Sequence, residues 1–157
     1  MKLLGRLLGW SVALAPVWAL AAPAPAWQAC PLSHAVYRDA GSEGFTLEFS
    51  KSGESPDLAS TLARVTVRHA QKGLISQWEL SHSLGYGTFD LFDPSGEDKT
   101  SHGVVAFDAK LRPLDAPHGA WLFVAGLGVS NWYSGRTGAR DAPVIKDPMW
   151  AFERCKP

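Results

Sequence analysis

The residues of this chain able to do chemistry are five histidines, one acid-rich run, two cysteines and one aromatic–arginine segment. The histidines are His34, His69, His82, His102 and His118. None sits at the His-x-x-x-His or His-Glu-x-x-His spacing that aims two imidazoles at one metal from a single helix face. No metal site and no cofactor follow from them. His82 and His102 each come after a serine and bound a strand-like run, which sets them near loops, where sites concentrate. With a nearby aspartate, either has the chemistry of a general base in a hydrolase. The Gly-x-Ser-x-Gly elbow that activates a serine is missing. Gly126-Leu127-Gly128-Val129-Ser130 shares only its composition, so no residue is assigned as catalytic.

Asp90, Asp93, Glu97 and Asp98 place four acids in nine residues. A calcium loop needs ligands at alternate positions around a sharp glycine turn, closed by a bidentate glutamate. That spacing is not met, and Asp93-Pro94-Ser95-Gly96 has the residues of a type I or II turn. The glycines form neither a Gly-x-x-x-x-Gly-Lys loop nor a Gly-x-Gly-x-x-Gly loop. Gly85-Tyr86-Gly87 reads as a bulge or bend at the start of a strand.

Gly126 to Pro143 is the most informative segment. Its 18 residues carry no sustained period and read as a long loop. Loops longer than about 12–15 residues within a compact domain are uncommon and often functional. Trp132 and Tyr133 need burial or a partner, and Arg136 and Arg140 can grip a carboxylate or phosphate bidentately. Aromatic residues beside arginine are also the usual anchors of a protein interface. Trp132, Tyr133, Arg136 and Arg140 are therefore the candidate binding residues, on a face completed by the 93–103 loop. The bland alternative is that the two aromatics plug the core.

Several elements must position these groups. Residues 1–21 read as a signal peptide: Lys2 and Arg6, then an uncharged run rich in Leu, Ala and Val, then Ala19-Leu20-Ala21. Residues 22–29 form an extended Ala/Pro-rich lead-in, and residues 30–157 make one domain. The 15 basic and 15 acidic residues of the whole chain balance. Loss of Lys2 and Arg6 lowers the basic count to 13 against 15 acids, a net of −2. That excludes the basic footprint of a nucleic-acid binder, and no second apolar segment is long enough to span a membrane. Cys30 and Cys155 are an even pair in an exported chain and predict one disulfide that closes the domain and makes its termini neighbours.

Alternation predicts strands. Phe45, Leu47 and Phe49 share one face, and so do Val65 and Val67. Leu74, Trp78 and Leu80 share a face opposite Ile75, Gln77 and Glu79. Ala70-Gln71-Lys72-Gly73 reads as the turn of a hairpin. Tyr86–Phe92, Val104–Phe107 and Trp150–Phe152 are further strands, and Trp121–Ala125 reads as a strand buried on both faces. One short helix is expected, over Leu58–Arg64 behind Asp57. Turn residues every 8–12 positions give an all-β fold: a single-domain antiparallel β-sandwich or small β-barrel with at most one short helix.

This layout of signal peptide, terminal cysteine pair and intervening strands is similar to that of the small periplasmic β-barrel inhibitors of lysozyme. The Ser-Gly-x-x-Tyr signature of those inhibitors is absent; Ser81–Tyr86 only echoes it, and no residue role carries over. The reading is a periplasmic or secreted, non-enzymatic β-domain that binds a protein or cell-envelope component. Two alternatives stand beside it: a hydrolase using His82 or His102 with a nearby Asp, and a small-ligand carrier whose barrel cavity is lined by Trp78, Trp121 and Phe123. The oligomeric state is not written in the sequence.

Overall fold

The computed structural model describes residues 24–52, 61–83, 87–96, 99–137 and 143–157, with side chains omitted for 134–137. The expected signal peptide therefore lies outside the described residues, as do Gly85-Tyr86 and Arg140. The described residues build a closed antiparallel barrel. In chain order the elements are α1 (Ala26–Ala29), a 3-10 turn (Leu32–His34), β1 (Ala35–Asp39), β2 (Phe45–Ser50), β3 (Thr61–His69), β4 (Gly73–His82), β5 (Phe89–Phe92), β6 (His102–Phe107), β7 (Pro113–Leu114), β8 (Trp121–Val124), α2 (Leu127–Thr137) and β9 (Met149–Cys155). Around the barrel the order is β5-β4-β3-β2-β1-β9-β8-β6, and β6 returns to β5 through Phe89↔Val104 and Leu91↔His102. Eight strands so closed leave no unpaired edge, and the interior is just wide enough for side chains to fill. The two-residue β7 only extends β6 at its far end.

The inward faces follow the alternation. Phe45, Leu47 and Phe49 are buried on β2, Ala63, Val65 and Val67 on β3, and Leu122 and Val124 on β8. Trp150 from β9 and Tyr37 from β1 complete the middle of the core. Burial pushes the Tyr37 hydroxyl well above the usual phenol range. That hydroxyl donates to the Gly119 carbonyl (2.9 Å) and accepts from the Gly119 amide (3.2 Å), so the polar tip is satisfied inside an apolar interior.

Four expectations are corrected here. Thr61–Arg64 belongs to β3 rather than to a helix, because Ala63 is fully buried and the backbone pairs with β4 from Thr61 onward. Residues 58–60 lie outside the described residues. Leu74 does not share the face of Trp78. The register shifts between Val67 and Arg68, so Leu74 opposes Arg68 on the outside and is 54% exposed, while Ile75 turns onto the core. One extra residue in a strand reverses every side chain beyond it. Residues 26–29 are one helical turn rather than extended lead-in, closed by the Gln28 amide on the Pro25 carbonyl. Trp121–Ala125 is not buried on both faces: Trp121 and Phe123 point outward and stay half-buried. The third reading needed Trp78, Trp121 and Phe123 around one cavity, but Trp78 is inside the barrel and the other two are outside.

The two ends of the domain meet as expected. β1 pairs with β9, Ala35 opposite Cys155, and Cys30 and Cys155 form a disulfide with Cα atoms 5.6 Å apart. The bond is compatible with an oxidising, exported compartment. The Lys156 amide donates to the His34 carbonyl (2.7 Å), and the Lys156 ammonium donates to the Phe49 carbonyl (2.6 Å). His118 lies on this clasp. Desolvation holds its imidazole below the usual histidine range, partly offset by a hydrogen bond to the Cys30 carbonyl. Its Nδ1 is buried with no partner among the described residues. The folded state thus binds fewer protons at His118 than the unfolded chain does. The stability this confers is complete above the unfolded value of about 6.5 and is lost as pH falls below it. Thermal unfolding followed from pH ~7.5 down to ~5 should show a smaller loss in His118→Gln than in wild type. An unchanged pH slope would remove His118 from this role.

Candidate functional site

The opposite end of the barrel carries the predicted site. Strand β8 leaves the core at Val124, and Gly126 turns the chain with φ +72°, a left-handed conformation that favours glycine. The chain then enters α2. This corrects the reading of 126–143 as a loop: residues 127–137 are helical, and 138–142 lie outside the described residues. The start of α2 is docked on the barrel. Leu127 is buried in the core beside Ile145. Gly128 lies so close to the Ile145 carbonyl that an added Cβ would stand 2.3 Å from its oxygen. The Asn131 side-chain oxygen accepts from the Ile145 amide at 3.1 Å.

On its other side the helix stands out as a ridge. Val129 (61%), Trp132 (47%) and Tyr133 (63%) are exposed. With Arg136 they hold positions i, i+3, i+4 and i+7, one stripe of a helix. Val129, Trp132 and Tyr133 face outward, the reverse of a helix built to stabilise its own fold. Trp132 and Tyr133 are therefore not core plugs. Arg136 shares their helical register, and Arg140 lies outside the described residues.

The ridge separates two clefts. One, of about 570 Å³, runs between α2 and the start of β9 and is lined by Phe123, Trp132, Ile145, Lys146, Asp147 and Pro148, with Val129 and Tyr133 shared between the two clefts. The other, of about 580 Å³, lies between α2 and the approach to β6, lined by Thr100, Ser101, His102, Val129, Ser130 and Tyr133. Of the 93–103 connection, Thr100, Ser101 and His102 line this cleft together with α2. Upstream in that connection, Asp93 organises the expected turn. Its carbonyl accepts from the Gly96 amide, and its carboxylate takes the Ser95 amide (2.9 Å) and hydroxyl (2.7 Å). Among the described residues no group of three or more His, Cys, Asp or Glu could hold a metal ion.

Two acids hold this end in shape. The Asp39 carboxylate, buried at the end of β1, accepts from the amides of Glu43, Gly44 (3.2 Å) and Phe45 (2.9 Å). Glu43 in turn accepts from the Lys146 amide (3.1 Å) and pairs with its ammonium (2.9 Å). Those bonds from Lys146 hold the Glu43 carboxyl below the usual carboxylate range. The segment beneath α2 is therefore tied on one side to Asn131 and on the other to the β1–β2 turn.

The two histidines singled out from sequence part company. His102 is 1% exposed, its Nδ1 donates to the Ala125 carbonyl (3.2 Å), and its ring meets Trp78 edge-on at 4.7 Å. His82 ends β4 at the disulfide-bearing end of the barrel and lies against Phe89, with centroids 5.1 Å apart. The outer wall of β6, β8 and β9 was missed by sequence reasoning. Val105, Phe123 and Met149 form one cross-strand row there, and Phe107, Trp121 and Ala151 form the next. The signal was present in the unbroken apolar run Trp121–Ala125, whose second apolar face needed a use.

No protein-family model matches this chain, and neither a curated protein nor a solved structure resembles it detectably.

Proposed function

We propose that the chain is an exported, non-enzymatic binding domain that takes a protein or cell-envelope component on the α2 end of its barrel. The single observation behind this reading is the outward apolar stripe of α2, with Val129, Trp132 and Tyr133 exposed between two clefts. An exposed large apolar patch costs solubility and marks an interaction site more often than an exposed single residue does. The disulfide supports export, because such a bond persists in oxidising compartments. Among the described residues no helix is long and apolar enough to cross a membrane.

The test uses the oxidised protein immobilised against envelope extract, with affinities measured for each retained component. Trp132→Ala and Arg136→Ala should each weaken at least one component by roughly tenfold or more, the scale of an interfacial hot spot. Unchanged affinities for every component in both variants would contradict the assignment. The hydrolase reading is separated by a turnover screen of wild type, His82→Ala and His102→Ala: activity lost in either variant would replace binding with catalysis.

A further inference from the structure

Residues 145–147 form a strap between α2 and β9, and each of the three is fixed by a different element. Ile145 gives its amide to the Asn131 side-chain oxygen on α2 (3.1 Å), and its carbonyl lies against Gly128. Asp147 accepts from the Met149 amide (2.8 Å) where β9 begins. Lys146, between them, is bound by Glu43 of the β1–β2 turn. One carboxylate oxygen takes the Lys146 amide at 3.1 Å, and the other takes its ammonium at 2.9 Å. A proton on that carboxyl cancels the charge that holds the ammonium and turns one of the two acceptors into a donor. Glu43 itself is fixed at both ends of its residue. Its amide donates to the Asp39 carboxylate at the end of β1, and its carbonyl accepts from His69 Nε2 (3.1 Å) at the end of β3. His69 is held as that donor because its Nδ1 accepts from the Gln71 amide (3.3 Å). The contact with Lys146 is therefore the joint between a braced turn and the strap beneath α2.

We propose that Glu43 is an acid-sensitive latch on the α2 site: ionised, it holds the 145–147 strap and with it the start of α2, and protonated, it lets both loosen. This is a regulation of the proposed binding site and rests on that reading for its purpose. The bonds from Lys146 hold the Glu43 carboxyl below its usual value of 4.5. A carboxyl lowered in this way contributes fully above its unfolded value and loses its effect as pH falls through the folded one. The latch is thus closed above about pH 4.5 and opens below it. The other titratable groups about Glu43 are Asp39, His69 and Asp147. Asp39 is engaged by the amides of the turn, and Asp147 by Met149. An added Cβ on Gly41 would stand 3.5 Å from both Asp147 and Glu43, which makes these two acids neighbours. A second proton on His69 would displace the Gln71 amide and leave the bond to the Glu43 carbonyl in place.

The experiment follows the amide shifts of Gly128, Ser130, Ile145 and Lys146 in the full, oxidised, ¹⁵N-labelled protein from pH ~7 to ~3. In wild type the four should move together, with one midpoint below 4.5. Glu43→Gln keeps an acceptor for the Lys146 amide but cannot ionise, so this shared movement should be absent. The same variant should lower the protection of the Ser130 amide from exchange at pH ~6 by roughly two- to fivefold, the scale of a largely exposed ion pair. Lys146→Met keeps the main-chain bond and removes the ammonium, and should raise the midpoint toward the usual carboxyl value. His69→Gln should leave the midpoint where it is. The latch is overturned if Gly128 and Ser130 do not titrate with Lys146, if Glu43→Gln titrates like wild type, or if the midpoint follows His69 instead of Lys146. None of these readings needs a ligand. Should the latch titrate as expected while Trp132→Ala and Arg136→Ala bind every envelope component as wild type does, the regulation falls with the site it serves. Should the titration fail while Trp132→Ala still releases a component, the latch falls and the binding reading stands.

Discussion

Replacing both Cys30 and Cys155 by serine should lower the unfolding free energy by about 4–5 kcal/mol, read from urea unfolding of oxidised wild type against the double variant. The bridge joins positions 125 apart, nearly the whole described chain. Its effect lies mostly in the unfolded state, whose ends it keeps together. In the folded state the clasp survives without it. Ala35 stays opposite position 155 in the ladder, and the Lys156 amide and ammonium keep their bonds to His34 and Phe49. The variant should therefore retain the barrel's far-ultraviolet spectrum while losing a large part of a total that is typically 5–15 kcal/mol. A loss below about 1 kcal/mol would show that the unfolded chain is already held compact without the bridge.

The second large effect falls on the site. Gly128→Ala should cost more than tenfold in affinity for any ligand of the α2 end, with global stability reduced by about 1–3 kcal/mol. The added Cβ meets the Ile145 carbonyl oxygen at 2.3 Å, and that neighbour is backbone. The Ile145 amide is already engaged by Asn131, and the next residue by Glu43, so the segment has little room to retreat. The helix must yield instead. Since Leu127, Gly128 and Asn131 dock the start of the helix, displacing that part moves Val129, Trp132 and Tyr133 together. Amide exchange at Ser130, whose N–H bonds to the Gly126 carbonyl at 3.0 Å, should accelerate in the variant. Exchange and affinity both at the wild-type level would mean that α2 tolerates the methyl and is docked differently.

Much of the barrel is legible in the sequence because one face of most strands is solvated. Phe45, Leu47 and Phe49 alternate with Thr46, Glu48 and Ser50, and the structure buries the first three. The signal fails where both faces are covered or where a bulge intervenes. β1 has no alternation to read: Ala35, Val36 and Tyr37 are all buried, and its last inward residue is Asp39, whose carboxylate is satisfied by three amides of the next turn. Leu74 and Ile75 exchange faces at a register shift that composition does not announce. The disulfide and the meeting of the termini follow from cysteine count and position alone.

The site is half legible. Trp132 and Tyr133 stand out as aromatic residues in a polar segment, and both are exposed where a binding surface needs them. The helix that carries them is hidden because its inward face holds a single apolar residue, Leu127, and lacks the recurring apolar stripe that marks a helix packed on a core. The helical spacing is present on the outer face instead, in Val129, Trp132 and Tyr133, and is recognisable once an outward stripe is allowed. The hydroxyl-lined cleft could not be read at all, since it joins Thr100 and Ser101 to Ser130 and Tyr133 across about thirty positions of chain.

The central claim is that the α2 end of the barrel is the binding end. The most direct measurement is amide shift mapping on the ¹⁵N-labelled, oxidised protein as solubilised envelope extract is added. Perturbations should gather at Ser101, His102, Phe123, Val129, Trp132, Tyr133 and the 145–148 segment, and should vanish in Trp132→Ala combined with Tyr133→Ala. Perturbations gathered instead around Cys30, Ala35, Phe107 and Cys155, or unchanged in the double variant, would place the binding surface elsewhere and contradict the account.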